Sequence, residues 1–188
     1  MPVQTTLRPW IAFVLCGLLA QGCSSISPEL AQKLDDADRQ LASGNWHDAA
    51  RSYAELSTSR DQFGVQKEAE ILLGQAVCLH NLSEFSKALE VFEKLRLQDL
   101  PREVQRQAHL TRARCAIELG RREEPVFVEM SPENAREISR RKKRATELCQ
   151  LARHEFDEIL DKFDERDFEA RVGMGECFVH LGVLAGSS

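Results

Sequence analysis

One spacing recurs in this chain and decides what it can become. Gly44-Asn45-Trp46 is followed by Ala49, Tyr53 and Leu56, and Ser83-Glu84-Phe85, 39 residues on, is followed by Ala88, Phe92 and Leu95. Each run places a small turn residue, an aromatic, an alanine, a second aromatic and a leucine at the same offsets. The small residue permits a tight interhelical turn, the aromatic fills the gap between helices, and Ala lets two helices approach closely. Upstream, Ala37, Ala76, Ala113 and Gly175 each lie seven residues before Gly44, Ser83, Gly120 and Gly182. A single hairpin cannot bury its own apolar face, so about three stacked copies are needed for stability. With only 10 Gly and 6 Pro in 188 residues, and no long alternation of Val or Ile with polar residues, the chain reads as all-α.

The pattern resembles the tetratricopeptide repeat, in which a helix A turns into a helix B. The resemblance covers most of residues 28–186 and implies a right-handed α-solenoid of about three to four hairpins. Two repeats match closely. The third has a helix A at about Arg102 to Leu119, with its turn at Gly120 followed by an insertion at about 121–131. Its helix B is expected within a long helix at about 132–163, where Ala152, Phe156 and Ile159 fall at the right offsets. A fourth helix A runs from Phe168 to Leu181. Val183-Leu184-Ala185 is more apolar than a capping end should be, so it either packs on a partner or folds back. Ser27-Pro28-Glu29 and Ser131-Pro132-Glu133 are start signals: an N-cap, a first-turn Pro and an acidic first-turn residue.

In this family helix A lines a groove that holds peptides or partner helices. The resemblance therefore implies two partner-binding rows, Leu34, Leu73, Leu110 and Val172, then Leu41, His80, Ile117 and Val179. Asp38, Arg114, Glu118 and Glu176 lie between them. The same rows also read as core, because the usual helix-A core positions hold Asp36, Gln75, Arg112 and Arg171. Within the long helix, Arg140, Arg141, Lys142, Lys143 and Arg144 form a basic run. It is either a solvated face or a contact for anionic headgroups or an acidic partner, and it leaves room for a break at 139–144. Val126 to Met130 is likewise either a spacer packed on its own repeats or an apolar anchor.

The N-terminus carries one cation, Arg8, then an almost wholly apolar stretch from Trp10 to Ala20. About eleven residues are too few to span a bilayer, and the layout is that of a signal peptide. Leu19-Ala20-Gln21-Gly22-Cys23 resembles the lipobox of bacterial lipoproteins. That resemblance implies cleavage after residue 22, a diacylglycerol and an N-acyl chain on Cys23, and a tether of residues 23–27. Four residues of extended chain reach about 14 Å, which holds the repeats against the bilayer. Ser24 beside Cys23 leans toward an outer membrane, with the protein facing the periplasm. Beyond the signal lie Cys78, Cys115, Cys149 and Cys177, an even number that invites a disulfide reading in an exported chain. Three of these occupy one repeat position on successive helices, roughly 8–10 Å apart, which favours buried free thiols.

A formal net charge of −5 disfavours nucleic acid. His47, His80, His109, His154 and His180 are scattered, with no metal-ligand spacing, nucleophile elbow or phosphate-cradling Gly loop. His154-Glu155 reads as a surface pair. The expectation is a non-enzymatic scaffold without cofactor, mediating protein–protein interaction in envelope assembly: β-barrel insertion, pilus biogenesis or coordination of cell-wall enzymes. The alternative is a subunit, catalytic or not, of a complex acting on cell wall or lipid.

Overall fold

A computed structural model of the chain describes residues 26–123 and 132–186. The N-terminal apolar stretch, Cys23 and the Val126–Met130 stretch lie outside the described residues. Within them the chain is all-α, with seven helices and no strand: α1 (Pro28–Ala42), α2 (Trp46–Thr58), α3 (Val65–Asn81), α4 (Phe85–Lys94), α5 (Arg102–Glu123), α6 (Pro132–Lys162) and α7 (Phe168–Gly186). These are the helical hairpins from which α-solenoids are built. They fall into two compact units, one of residues up to Glu84 with Val91–Val104, the other of Phe85–Glu90 with Gln105 onward.

In the first unit α1 packs on α2 and α2 on α3. The Ser27 hydroxyl accepts the Leu30 N–H at 3.3 Å, with Pro28 and Glu29 in the first turn, as the start signal requires. The helix ends where the repeat places its small residue. Gly44 has φ 77°, the Asn45 N–H reaches back to the Gln40 carbonyl at 2.9 Å, and the Gly44 N–H reaches Leu41 at 3.1 Å. This is a Schellman close. The end of α3 repeats it: Ser83 has φ 59°, Glu84 N–H bonds Leu79 and Ser83 N–H bonds His80, both at 2.9 Å. Between α2 and α3, the Tyr53 ring lies on Gly74, where an added Cβ would come within 2.6 Å of it. The Tyr53 hydroxyl donates to the Asp38 carboxylate at 2.5 Å.

The second unit is held by Leu110, Ala113, Ala116 and Ile117 of α5, Ala152, Phe156 and Ile159 of α6, and Ala170 and Cys177 of α7. The lock between α2 and α3 recurs between α6 and α7, with the Phe156 ring covering Gly173 so closely that a Cβ would overlap it. Two sequence expectations are corrected here. Gly120 is no turn, because α5 continues to Glu123. A Cβ on Gly120 would make ordinary 3.6 Å contacts with α6 at Ala145, Leu148 and Cys149, so the residue lies along a helix–helix seam. Gly182 is likewise internal to α7, where Leu184 is buried and Val183 exposed. The long helix expected at about 132–163 is α6, unbroken for 31 residues, about 46 Å. Its basic stretch stays helical beside acidic partners, with Arg140 near Glu137, Arg141 and Arg144 near Glu123, and Lys143 near Glu147.

Cys78, Cys115, Cys149 and Cys177 are buried free thiols. Burial pushes the Cys78, Cys115 and Cys177 thiols up to about 12.

Candidate binding surfaces

The rows implied as a groove divide. Leu34, Leu41, Leu73, Leu110 and Ile117 are buried, so these five side chains hold helices together and offer no surface to a partner. Of the polar residues at the usual helix-A core positions, Asp36, Gln75 and Arg112 are half-buried and Arg171 is exposed. His80 and Arg114 are half-buried, and Val172 and Val179 are exposed. Arg114 is engaged by Glu169 at 3.0 Å.

A cavity of about 230 Å³ opens in the first unit, lined by Leu56 and Ser57 of α2, Glu68, Ile71, Leu72 and Gln75 of α3, and Val91 and Lys94 of α4. Its floor is aliphatic, and its edge carries one carboxylate, one ammonium and one amide. It lies below the roughly 300–1,000 Å³ of a small-molecule site. One apolar side chain of a bound peptide fits it, with Glu68, Gln75 and Lys94 available to peptide polar groups. It is not legible in the sequence, because its wall is assembled from three helices and, of the recurring repeat positions, only Leu56 takes part.

A second surface lies on α7. This helix is apolar on nearly every side, a composition expected of a helix buried all round. One side packs on α6 through Gly173 and Cys177. The other side exposes Phe168 (78%), Val172 (47%), Phe178 (58%), Val179 (66%) and Val183 (58%). The small position of helix A is fully buried at Ala37, Ala76 and Ala113, but its fourth instance, Gly175, is exposed. A Cβ added at Gly175 or Gly182 would meet nothing within 4 Å.

Two polar clusters brace the second unit. Glu155 is buried, not a surface partner of His154. Its carboxylate lies 2.7 Å from His109 Nδ1 and 3.0 Å from Arg112 Nη1, while His154 is exposed. The Phe163 ring stands edge-on to His109, with centroids 6.0 Å apart. A charged group so enclosed has no route to a substrate and ties α5 to α6 instead. Sequence reasoning missed it because His109 and Glu155 lie on different helices, with nothing in their local pattern to pair them. The second cluster joins α5 to the start of α7: Arg106 pairs with Asp167 at 2.5 Å and with Glu169 at 3.2 Å. Asp167 also caps α7, accepting the Ala170 N–H at 3.0 Å. Burial by itself would raise the Asp167 carboxyl; the Arg106 guanidinium and the Ala170 and Glu169 N–H groups outweigh it and hold the carboxyl below its ordinary 3.8.

Among the described residues no group of His, Cys, Asp and Glu is arranged to hold a metal ion. No described helix is long and apolar enough to cross a membrane. The basic run stays on the surface of α6, its five side chains exposed or half-exposed. No curated protein and no solved structure matches the chain. Residues 34–101 match the tetratricopeptide repeat family, and over that stretch the turns at Gly44 and Ser83, with the helices they join, are similar to tetratricopeptide repeats.

Proposed function

We propose that this protein is a lipid-anchored, periplasm-facing helical-repeat scaffold that binds other proteins during envelope assembly, without chemistry of its own. The observation that carries protein binding is the tetratricopeptide match over residues 34–101, since repeats of this kind commonly serve as protein-interaction scaffolds. The cavity between α2, α3 and α4 supports it by offering a seat for one side chain of a peptide. The anchor rests on the apolar stretch that ends at Leu19-Ala20-Gln21-Gly22-Cys23. Because α1 begins at Pro28, the repeats start within a few residues of the acylated cysteine, and partners are met close to the lipid. Two or more acyl chains make such an attachment stable.

Affinity capture of the chain from solubilised envelopes, followed by identification of co-purifying proteins, tests the scaffold. Gln75→Arg fills the cavity edge and should remove the captured partner while the fold is kept. An unchanged set of co-purifying proteins would move the partner site elsewhere. The anchor is tested separately, because Cys23→Ala should release the protein to the soluble fraction. A Cys23→Ala variant that is processed and still fractionates with membranes defeats the lipid-anchor reading.

A further inference from the structure

We propose that the exposed face of α7 is a self-association surface, on which a second copy of this chain packs antiparallel about a two-fold axis at Gly175. Two observations independent of the lipid anchor carry this. The first is apolar area. The exposed stripe from Phe168 to Val183 is about 22 Å long. Taken at ordinary Phe and Val areas, two such faces present roughly 1,200 Å² together, the lower end of a specific stable interface.

The second observation identifies the occupant. Helix pairs in this chain lock by seating an aromatic ring on a helix glycine, Tyr53 on Gly74 and Phe156 on Gly173. The α7 face holds both halves of that lock on one helix: exposed Phe168 and Phe178, and open Gly175 and Gly182. A patch carrying knob and hole together is complementary to itself, which is what a two-fold interface requires. With the axis at Gly175, Phe168 of one copy faces Gly182 of the other, and Val172 faces Phe178 and Val179. The two Gly175 residues meet, where the missing side chains allow close approach. The same register sets Arg171 against Phe178 of the other copy, a cation–π pairing. On the opposite flank Glu169 and Glu176 are engaged by Arg106, Arg114 and Arg121, so no unpaired carboxylates are brought together. A lipid surface would use the Phe and Val side chains but has no need of the glycines. Each helix glycine weakens α7 by roughly 0.5–1 kcal/mol relative to Ala, a loss offset by a close neighbour.

The experiment is analytical ultracentrifugation of the full chain in mild non-ionic detergent, with disulfide trapping of Gly175→Cys in membranes. At about 100 µM, enough to populate a dimer of micromolar Kd, the wild-type chain should sediment as a dimer. Gly182→Leu and Val179→Glu should each weaken association at least about tenfold. Both positions are open in the single chain, so both variants should melt no lower than wild type in dilute solution. Gly175→Cys should give a copper-phenanthroline cross-linked dimer absent from the wild type. A wild-type chain that stays monomeric overturns the proposal and leaves α7 to a foreign helix or a lipid surface. A dimer unaffected by both substitutions, or one in which Gly175→Cys fails to cross-link, overturns it in favour of another interface.

Discussion

Gly74 and Ser83 show how differently two positions nine residues apart can constrain the chain. Gly74 has ordinary helical geometry, yet the Tyr53 ring occupies the space of a side chain. Gly74→Ala should therefore destabilise by about 1–3 kcal/mol through overpacking, read as a lower urea midpoint with unchanged m. Ser83 has space but the wrong backbone, holding φ 59° at the close of α3. Ser83→Gly should raise stability by about 0.5–1 kcal/mol, measurable as an increase in Tm. The turn at Ser83 was legible in the sequence because a small residue stands there in both repeats. The Gly74 contact was not, since the aligned small position is Ala76, two residues on. Asp167 adds a dependence on pH. Its carboxyl is held below 3.8, so its stabilisation is present above that value and lost as pH falls through the depressed folded pKa. Asp167→Asn keeps a capping oxygen but loses the charge opposite Arg106. It should cost about 1 kcal/mol at neutral pH and flatten the acid limb of the stability profile. An acid limb as steep as that of wild type would assign the dependence to other carboxylates.

At the scale of elements, helix starts and the first two turns were readable because each rests on local chemistry: Ser27 with Pro28, Gly44, and Ser83. The ends of α5 and α7 were misread for one reason. Gly120 and Gly182 stand at repeat-turn positions, but each lies inside its helix. A small residue permits a turn without requiring one. The cross-brace of α5 and α6 was invisible for the opposite reason, since it depends on a pairing across 46 residues. Glu155→Ala should be severe, at about 3–5 kcal/mol, because it leaves Arg112 half-buried without its carboxylate beside His109. Glu155→Gln should cost less, since the amide oxygen still accepts one hydrogen bond. Equal losses in the two variants, measured by chemical denaturation, would mean that packing and not charge holds the brace.

At the scale of the whole chain, the repeat in the sequence announced an all-α protein of helical hairpins, while the binding surfaces emerged only from folding. The cavity of α2, α3 and α4 and the open face of α7 are made by which sides of helices are left uncovered, a property no single helix carries. The thiols belong to this scale as well. Native protein should resist N-ethylmaleimide at Cys78, Cys115, Cys149 and Cys177, and unfolded protein should label at all four, as mass spectrometry of peptides can count. Protection of this kind exists only after folding. Under the export proposed above, the chain enters a race in an oxidising compartment, in which every thiol must be enclosed before an oxidant joins two of them in a bond the native packing has no place for. Local hairpins, which form quickly between near neighbours in sequence, are the architecture that wins it.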